Sequence, residues 1–185
     1  MVNASLKALH SEASSNLAGI ISAFAHLADS AINRQPASNH WSIAQCLDHI
    51  VVSDRLYYER LRRAVVEGHR TKRYSEDGIR PSFLGRYFIR LLGPDGRRMK
   101  SPRLFTPSND HRTGPLLADF ADHQKELMEL LRRADGLPVN VLRLSSPVSR
   151  VFRFSLGEVF LILLAHQKRH LNQTLAISRW LSENP

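Results

Sequence analysis

Two histidines late in the chain have the types and spacing of a metal-binding pair. His166 and His170 lie four residues apart in a segment rich in apolar residues. On an α-helix they are separated by about 40° around the axis and by one turn, on the same stripe as Val159 and Ile162. Neutral imidazole is the commonest metal ligand, and an i, i+4 pair directs both rings at one centre. The pair indicates a divalent metal site, although each ring could instead form hydrogen bonds within a core.

A third ligand has to come from another segment, and His49 is the best candidate. The main apolar direction of its predicted helix, set by residues such as Ile43 and Leu47, lies about 120° from His49. Val52 and Leu56 flank His49 on its own side, so a helix buried on two faces would bring it to the site. Periodicity alone leaves this open. The remaining histidines have no partner at ligand spacing and are expected at the surface or in ordinary hydrogen bonds: His10, His26, His40, His69, His111 and His123.

Four predicted helices would position these side chains. They span about 4–32, 42–67, 113–136 and 155–182. Ser42 with Gln45, and Ser155 with Glu158, form capping boxes that begin the second and the fourth helix. Gly68 is expected to end the second.

The connections after the second and third helices are long. About 45 residues rich in Arg, Gly and Pro separate helices two and three, and loops of that length usually hold structure or function of their own. Residues 82–92 are predicted to form a short amphipathic helix there, and 148–154 a short extended piece in the later connection. We therefore predict an all-α, four-helix bundle with long elaborated crossovers, as a single domain over 1–185 with a basic crossover insertion at about 68–113.

The net charge of +9 is a regional feature. Residues 55–103 hold fourteen Lys and Arg against five Asp and Glu, whereas the rest of the chain has twelve of each sign. Such a basic segment indicates a nucleic-acid or anionic-ligand surface, or simply a solvated face.

The rest of the composition restricts the class of protein. The single Cys46 excludes an intramolecular disulfide and a cysteine-based zinc site. The first residues lack the apolar core of a signal peptide, and no apolar run approaches the roughly 18–20 residues of a membrane span. A soluble, cytoplasmic protein is expected.

Together these motifs resemble the DinB/YfiT-like superfamily of metal-binding four-helix bundles. The resemblance rests on Trp41-Ser42 followed seven residues later by His49, on the late His166-x3-His170, and on the order of the helices over nearly the whole chain. It implies an up-up-down-down bundle with a divalent metal, commonly nickel, zinc or iron, whose ligands would be His49, His166 and His170.

The same resemblance implies a type of function. Members include thiol-dependent transferases and isomerases that use low-molecular-weight thiols such as bacillithiol or mycothiol, and homodimers are common. Three neutral histidines leave the ion its full charge and an open position, as in catalytic sites. We expect a metal-dependent enzyme that transfers a thiol to a small electrophile, or a hydrolase, with some arginines attracting an anionic substrate. No catalytic residue is assigned.

Three polar residues near the histidines are further candidates. Gln173 shares the stripe of the histidine pair and Gln45 lies one turn before His49, so either could bond a metal-bound water or a substrate. A cap or an interhelical hydrogen bond explains each equally well. Asp54 lies on the main apolar face of its helix, where it needs a partner, and is a candidate general base.

Two other functions remain open at this stage. One is a non-catalytic metal- or ligand-binding protein. The other is a nucleic-acid-binding module using 55–103, although no recognition motif and no stacking platform accompany those charges. The arginine-rich stretch 70–112 departs from the resembled family and leaves the substrate unassigned.

Overall fold

The protein is mostly helical, in agreement with the all-α prediction. A computed structural model describes residues 1–97, 101–149 and 151–184. Its elements are α1 (Ala4–Phe24), α2 (Asp29–Asn33), α3 (Ile43–Arg70), α4 (Phe83–Leu92), a 3-10 turn (Arg103–Phe105), α5 (Thr113–Arg133), β1 (Arg143–Ser145), β2 (Arg153–Ser155) and α6 (Leu156–Glu183).

Both predicted capping boxes are present and begin the two helices that carry the candidate ligands. The Ser42 hydroxyl accepts a hydrogen bond from the Gln45 N–H, and the Gln45 Oε1 accepts one from the Ser42 N–H at 3.0 Å. Ser155 and Glu158 form the same reciprocal pair at the start of α6. These caps satisfy donors that the first helical turn leaves unpaired, so the predicted starts are confirmed to within one residue.

The predicted end of α3 at Gly68 is wrong by one short turn, because α3 continues to Arg70. Gly68 is buried, and a Cβ atom there would lie 2.8 Å from the Cδ1 atoms of both Leu137 and Leu142. This glycine therefore permits close packing against the later connection rather than ending the helix.

The first predicted helix is also corrected, because the chain breaks it into α1 and the short α2. The Asp29 Oδ1 accepts a hydrogen bond from the Thr113 N–H at 2.8 Å, and Asn33 exchanges hydrogen bonds with the backbone of His111. The turn between α1 and α2 thus brings the polar side chains of α2 to the start of α5. Hydrophobic periodicity does not reveal such a tertiary contact.

The two long connections hold structure. The predicted short helix over 82–92 is confirmed as α4, which packs against α6. Part of the predicted extended piece forms β2, which pairs antiparallel with β1, with Leu144 opposite Phe154. Arg150 of that piece, and Arg98 and Lys100 of the basic segment, lie outside the described residues.

The long helices enclose two apolar clusters. α3 packs against α5 and α6, and α1 packs against the same two helices. Along α5, one cluster ends at Phe120 and the other begins at Leu127, and α6 divides in the same way between Leu164 and Leu171. Buried polar residues of α3, α5 and α6 lie between the clusters, so the middle of the molecule is polar.

The described basic residues lie on the outside. Of the arginines and lysines within 55–97, all are exposed except Arg60, which is partly buried. Several form ion pairs along or between helices, such as Arg63 with Glu59 and Arg55 with Asp119. None of the helices within the described ranges has the length and apolarity needed to cross a membrane.

Candidate metal centre

His49, His166 and His170 meet in the polar middle of the molecule. One ring nitrogen from each lies within 4.8 Å of the others. Among the described residues, these three histidines are the one cluster of side chains that could hold a metal ion. The Nε2 atoms of His49 and His166 are 3.2 Å apart. His49 and His170 are 4% and 8% exposed, so little solvent reaches the cluster through these rings.

The outer nitrogen of each ring faces an oxygen that accepts hydrogen bonds. The Nδ1 atom of His49 lies 2.6 Å from the Phe105 carbonyl oxygen, and that of His170 lies 3.0 Å from the Gln173 Oε1. The Nδ1 atom of His166 lies 4.0 Å from the Asp54 Oδ1. Protons on these Nδ1 atoms leave each Nε2 with a lone pair. Lone pairs that converge in this way repel one another unless a cation lies between them, so the donor set fits a divalent metal.

Burial keeps these imidazoles neutral. Desolvation lowers the pKa of His49, and it lowers the pKa of His170 to about 3. The pKa of His166 is well below its ordinary value, because of burial and then because of the neighbouring His170 and His49. The neutral ring is the form that binds a metal, so protons do not compete strongly with an ion at neutral pH.

Trp41 explains part of the motif before α3. Its ring centroid lies 4.6 Å from that of His49 and 5.6 Å from that of His170. The indole therefore restricts two of the three rings, while Ser42 fixes the first turn of the helix that carries His49.

A second polar cluster, formed by Tyr58, His123, Gln124 and Gln167 around Asp54, lies next to the histidines. The Asp54 Oδ2 accepts a hydrogen bond from the Gln167 Nε2 at 2.8 Å and lies 3.3 Å from the His123 Nε2. The Gln124 Nε2 donates to the Gln167 Oε1 at 3.0 Å, and the Tyr58 hydroxyl lies 2.7 Å from the His123 Nδ1. This Asp54 cluster supplies the partners that the sequence required for a carboxylate on an apolar face.

Asp54 also links the two clusters. Its Oδ1 atom is buried without a hydrogen-bond partner and is the carboxylate oxygen directed at His166. A buried carboxylate oxygen needs a donor, and the Nδ1–H of His166 is the group it faces. Asp54 is thus placed to hold the ring of His166 from behind, as carboxylates often do for metal-binding histidines.

No specific role was predicted for His123, which is buried in the Asp54 cluster. A signal was available: His123 follows Phe120 by three residues and precedes Leu127 by four, which places it on the apolar stripe of α5.

A cavity of about 700 Å³ opens beside the three histidines, all of which line it. Gln173 lines it as well and touches His170, as its position on α6 suggested. Gln45 does not reach this cavity. Its amide contacts Ser42, Gln35 and Asn109 instead, which matches the capping role considered for it.

The crossover between α4 and α5 helps to build the site. Its Phe105 carbonyl faces His49, and the N–H and hydroxyl of Ser108 both donate to the Asp48 Oδ2, at 2.7 and 2.8 Å. Asp48 therefore anchors the crossover beside His49, and its Oδ2 also lies 3.6 Å from the His111 Nε2.

Comparison with known proteins identifies a family. A family model described as the DinB superfamily matches residues 15–174, a span that includes all three histidines. No curated protein and no solved structure matches the chain.

Proposed function

The chain belongs to the DinB superfamily, and from that membership we propose that it is a divalent-metal-dependent enzyme that joins a low-molecular-weight thiol to a small electrophile. The observation that carries the proposal is the convergence of the ring nitrogens of His49, His166 and His170 at the edge of a cavity. A purely structural site would be closed by a fourth protein ligand, whereas three ligands beside a cavity leave room for a reactant.

The finer parts of the proposal follow the family. We propose nickel, zinc or iron as the ion and an up-up-down-down arrangement of α1, α3, α5 and α6. The homodimer, the cytoplasmic location and the attraction of an anionic thiol cosubstrate by the arginines stay predictions. A bound divalent ion would supply one thing to the reaction, a lowered pKa for a thiol or water at its open position.

The chain's own residues supply position and a restricted environment. Trp41 and the acceptors behind each ring fix the orientation of the imidazoles, and the apolar cavity wall limits the water around the reacting atoms. In a displacement, the new S–C bond forms as the bond to the leaving group breaks. The leaving group takes the bonding electron pair, and the thiol proton passes to solvent.

Elemental analysis of the purified full-length protein tests the metal. We expect close to one equivalent of divalent metal per chain, and its loss in His166→Ala. His26→Ala is the matched control, since His26 is an exposed histidine outside the cluster. Circular dichroism and a His170→Gln variant separate loss of metal from loss of fold. A folded wild-type protein that takes up no nickel, zinc or iron on titration would show the proposal to be wrong.

Activity separates the enzyme from the alternative, a non-catalytic metal-binding protein. The metal-loaded protein should accelerate loss of a thiol with a model electrophile such as 1-chloro-2,4-dinitrobenzene, and His166→Ala should not. One equivalent of metal with no rate above the metal-free protein, over a panel of thiols and electrophiles, would favour the non-catalytic alternative.

A further inference from the structure

The wall of the cavity is built mainly from apolar side chains, although the surrounding segment is rich in arginine. The lining includes aromatic and aliphatic side chains from several elements, among them Tyr57, Phe88, Leu92, Phe105, Phe154 and Leu163. The rings of Phe88 and Phe154 pack edge to face with centroids 5.2 Å apart. The histidines lie along the same cavity, so it combines a polar, reactive region with an apolar one.

The amphipathic helix α4 separates the arginines from this wall. Phe88 and Leu92 are partly buried and line the cavity, whereas Arg86 and Arg90 on the same helix are exposed. The basic crossover therefore contributes the apolar face of α4 to the site, and the two arginines of α4 lie on the other side of the helix.

Only two charged side chains, Arg169 and Asp54, line the described part of the cavity, and both contact other groups of the protein. Arg169 donates to the carbonyl oxygens of Leu91 and Arg97, at 3.3 and 3.0 Å, where the end of α4 concentrates partial negative charge. Asp54 is held by Gln167 and His123. The guanidinium of Arg169 is thus engaged by backbone carbonyls, and the free Oδ1 of Asp54 faces His166.

From this arrangement we propose that the cavity binds an uncharged substrate with an aromatic or branched aliphatic body, which presents its electrophilic atom to the three histidines. The inference rests on the proposed function, because it names the class of molecule that the enzyme would modify. A volume of about 700 Å³ lies within the usual range of small-molecule sites. Apolar walls favour apolar surface, and a charged body would lose hydration without gaining a partner.

Fluorescence titration of the purified full-length protein with N-phenyl-1-naphthylamine tests this inference. This neutral probe should bind with one-to-one stoichiometry. Its sulfonated counterpart, 1-anilinonaphthalene-8-sulfonate, should displace it only at concentrations about tenfold higher or more, because Arg169, the cation of the described wall, already donates to backbone carbonyls. The competition is measured at high salt, which suppresses binding of the anionic probe to the exposed arginines.

Two variants assign the binding to the cavity. Leu92→Glu places a charge in the wall and Leu92→Trp fills the space, so each should weaken the neutral probe about tenfold or more. Leu175→Glu is the matched control, since Leu175 is an exposed leucine of α6 outside the lining, and it should leave the affinity unchanged.

Metal content, measured on the same samples, separates this inference from the proposed function. The protein could bind the neutral probe in a way that depends on Leu92, yet hold no ion and take up none on titration. That result would support the apolar site and overturn the metal role. Two results would overturn this inference alone, in a protein that holds its ion. One is tighter binding of the sulfonate than of the neutral probe, and the other is an unchanged affinity for the neutral probe in both Leu92 variants.

Discussion

His123 and His166 lie in the same polar layer, yet their ring nitrogens have different partners. His123 lies between the Tyr58 hydroxyl and the Asp54 carboxylate, and its side chain is 0% exposed. His166 has a carboxylate on one side only. Its Nε2 faces another imidazole 3.2 Å away, at the edge of a cavity.

The difference shows what makes a buried histidine available to a metal. In the Asp54 cluster both nitrogens of His123 have partners, so that ring has no lone pair to offer. In the histidine cluster each outer nitrogen faces an acceptor, at 4.0 Å in the case of His166, and the inner nitrogens have only each other. Burial is common to both clusters. The unmatched lone pairs are what distinguish the candidate metal centre.

Asp54→Asn should have the largest effect, because Asp54 belongs to both clusters. An amide in place of the carboxylate weakens the acceptor facing the His166 Nδ1, so metal affinity should fall about 10–100-fold. Titration with zinc against a chelating indicator measures the change. Asp119→Asn, which removes a partly exposed carboxylate paired with Arg55, should leave the affinity unchanged. Equal affinities in the two variants would mean that Asp54 does not hold His166.

Tyr58→Phe tests whether the two clusters act independently, because Tyr58 belongs to the Asp54 cluster. The Tyr58 hydroxyl contacts the His123 Nδ1 at 2.7 Å and donates to the His123 carbonyl oxygen at 2.9 Å. Its loss leaves buried groups unpaired, so the free energy of unfolding should fall by about 1–3 kcal/mol. Urea denaturation of the metal-free protein measures this, while zinc affinity should stay within about threefold of wild type. A tenfold loss of affinity would show that the two clusters act as one.

The same contrast explains which parts of the site could be read from the sequence. Ser42, His166 and His170 carry short-range signals, a cap and a helical spacing, which do not depend on the rest of the fold. His49 has no such signal, and the family resemblance assigned it. The Phe105 carbonyl carries no such signal, since any residue has one and only the path of the crossover brings it to His49. The breadth of the apolar wall was equally hidden, because the amphipathic pattern of α4 does not reveal that its apolar face packs beside α6.

The pH dependence of metal binding should reveal the neutral state of the three histidines. The pKa of His170 is lowered to about 3 by burial, so the folded protein binds few protons there at neutral pH. Zinc affinity should therefore change little between pH 8 and about 6.5, unlike that of an exposed histidine cluster. Affinity that falls about tenfold for each unit in that range would show that the rings are protonated in the folded protein.

The stability of the metal-free protein should respond at lower pH, with a sign that follows from the same shift. Below pH 6.5, the ordinary pKa of a histidine, His170 binds a proton in the unfolded chain. In the folded protein His170 stays neutral until the pH falls to about 3. The unfolded state then gains protons relative to the folded one, so the free energy of unfolding should decrease as the pH falls through that window. Thermal denaturation at several pH values measures this decrease, and a flat profile would contradict the lowered pKa.

Cys46 should show the smallest effect, although it lies on α3 one turn before the metal-ligand candidate His49. Cys46 is fully buried, and desolvation raises the pKa of its thiol to about 12, so it holds its proton at neutral pH and is a poor nucleophile and ligand. Cys46→Ala should keep the wild-type metal stoichiometry and the rate of thiol transfer, and the folded wild-type protein should not react with 5,5′-dithiobis(2-nitrobenzoic acid). A variant that lost activity while keeping its metal would place the reacting sulfur in the chain. The expected result places it in an external thiol, because Cys46 is the only cysteine of the protein.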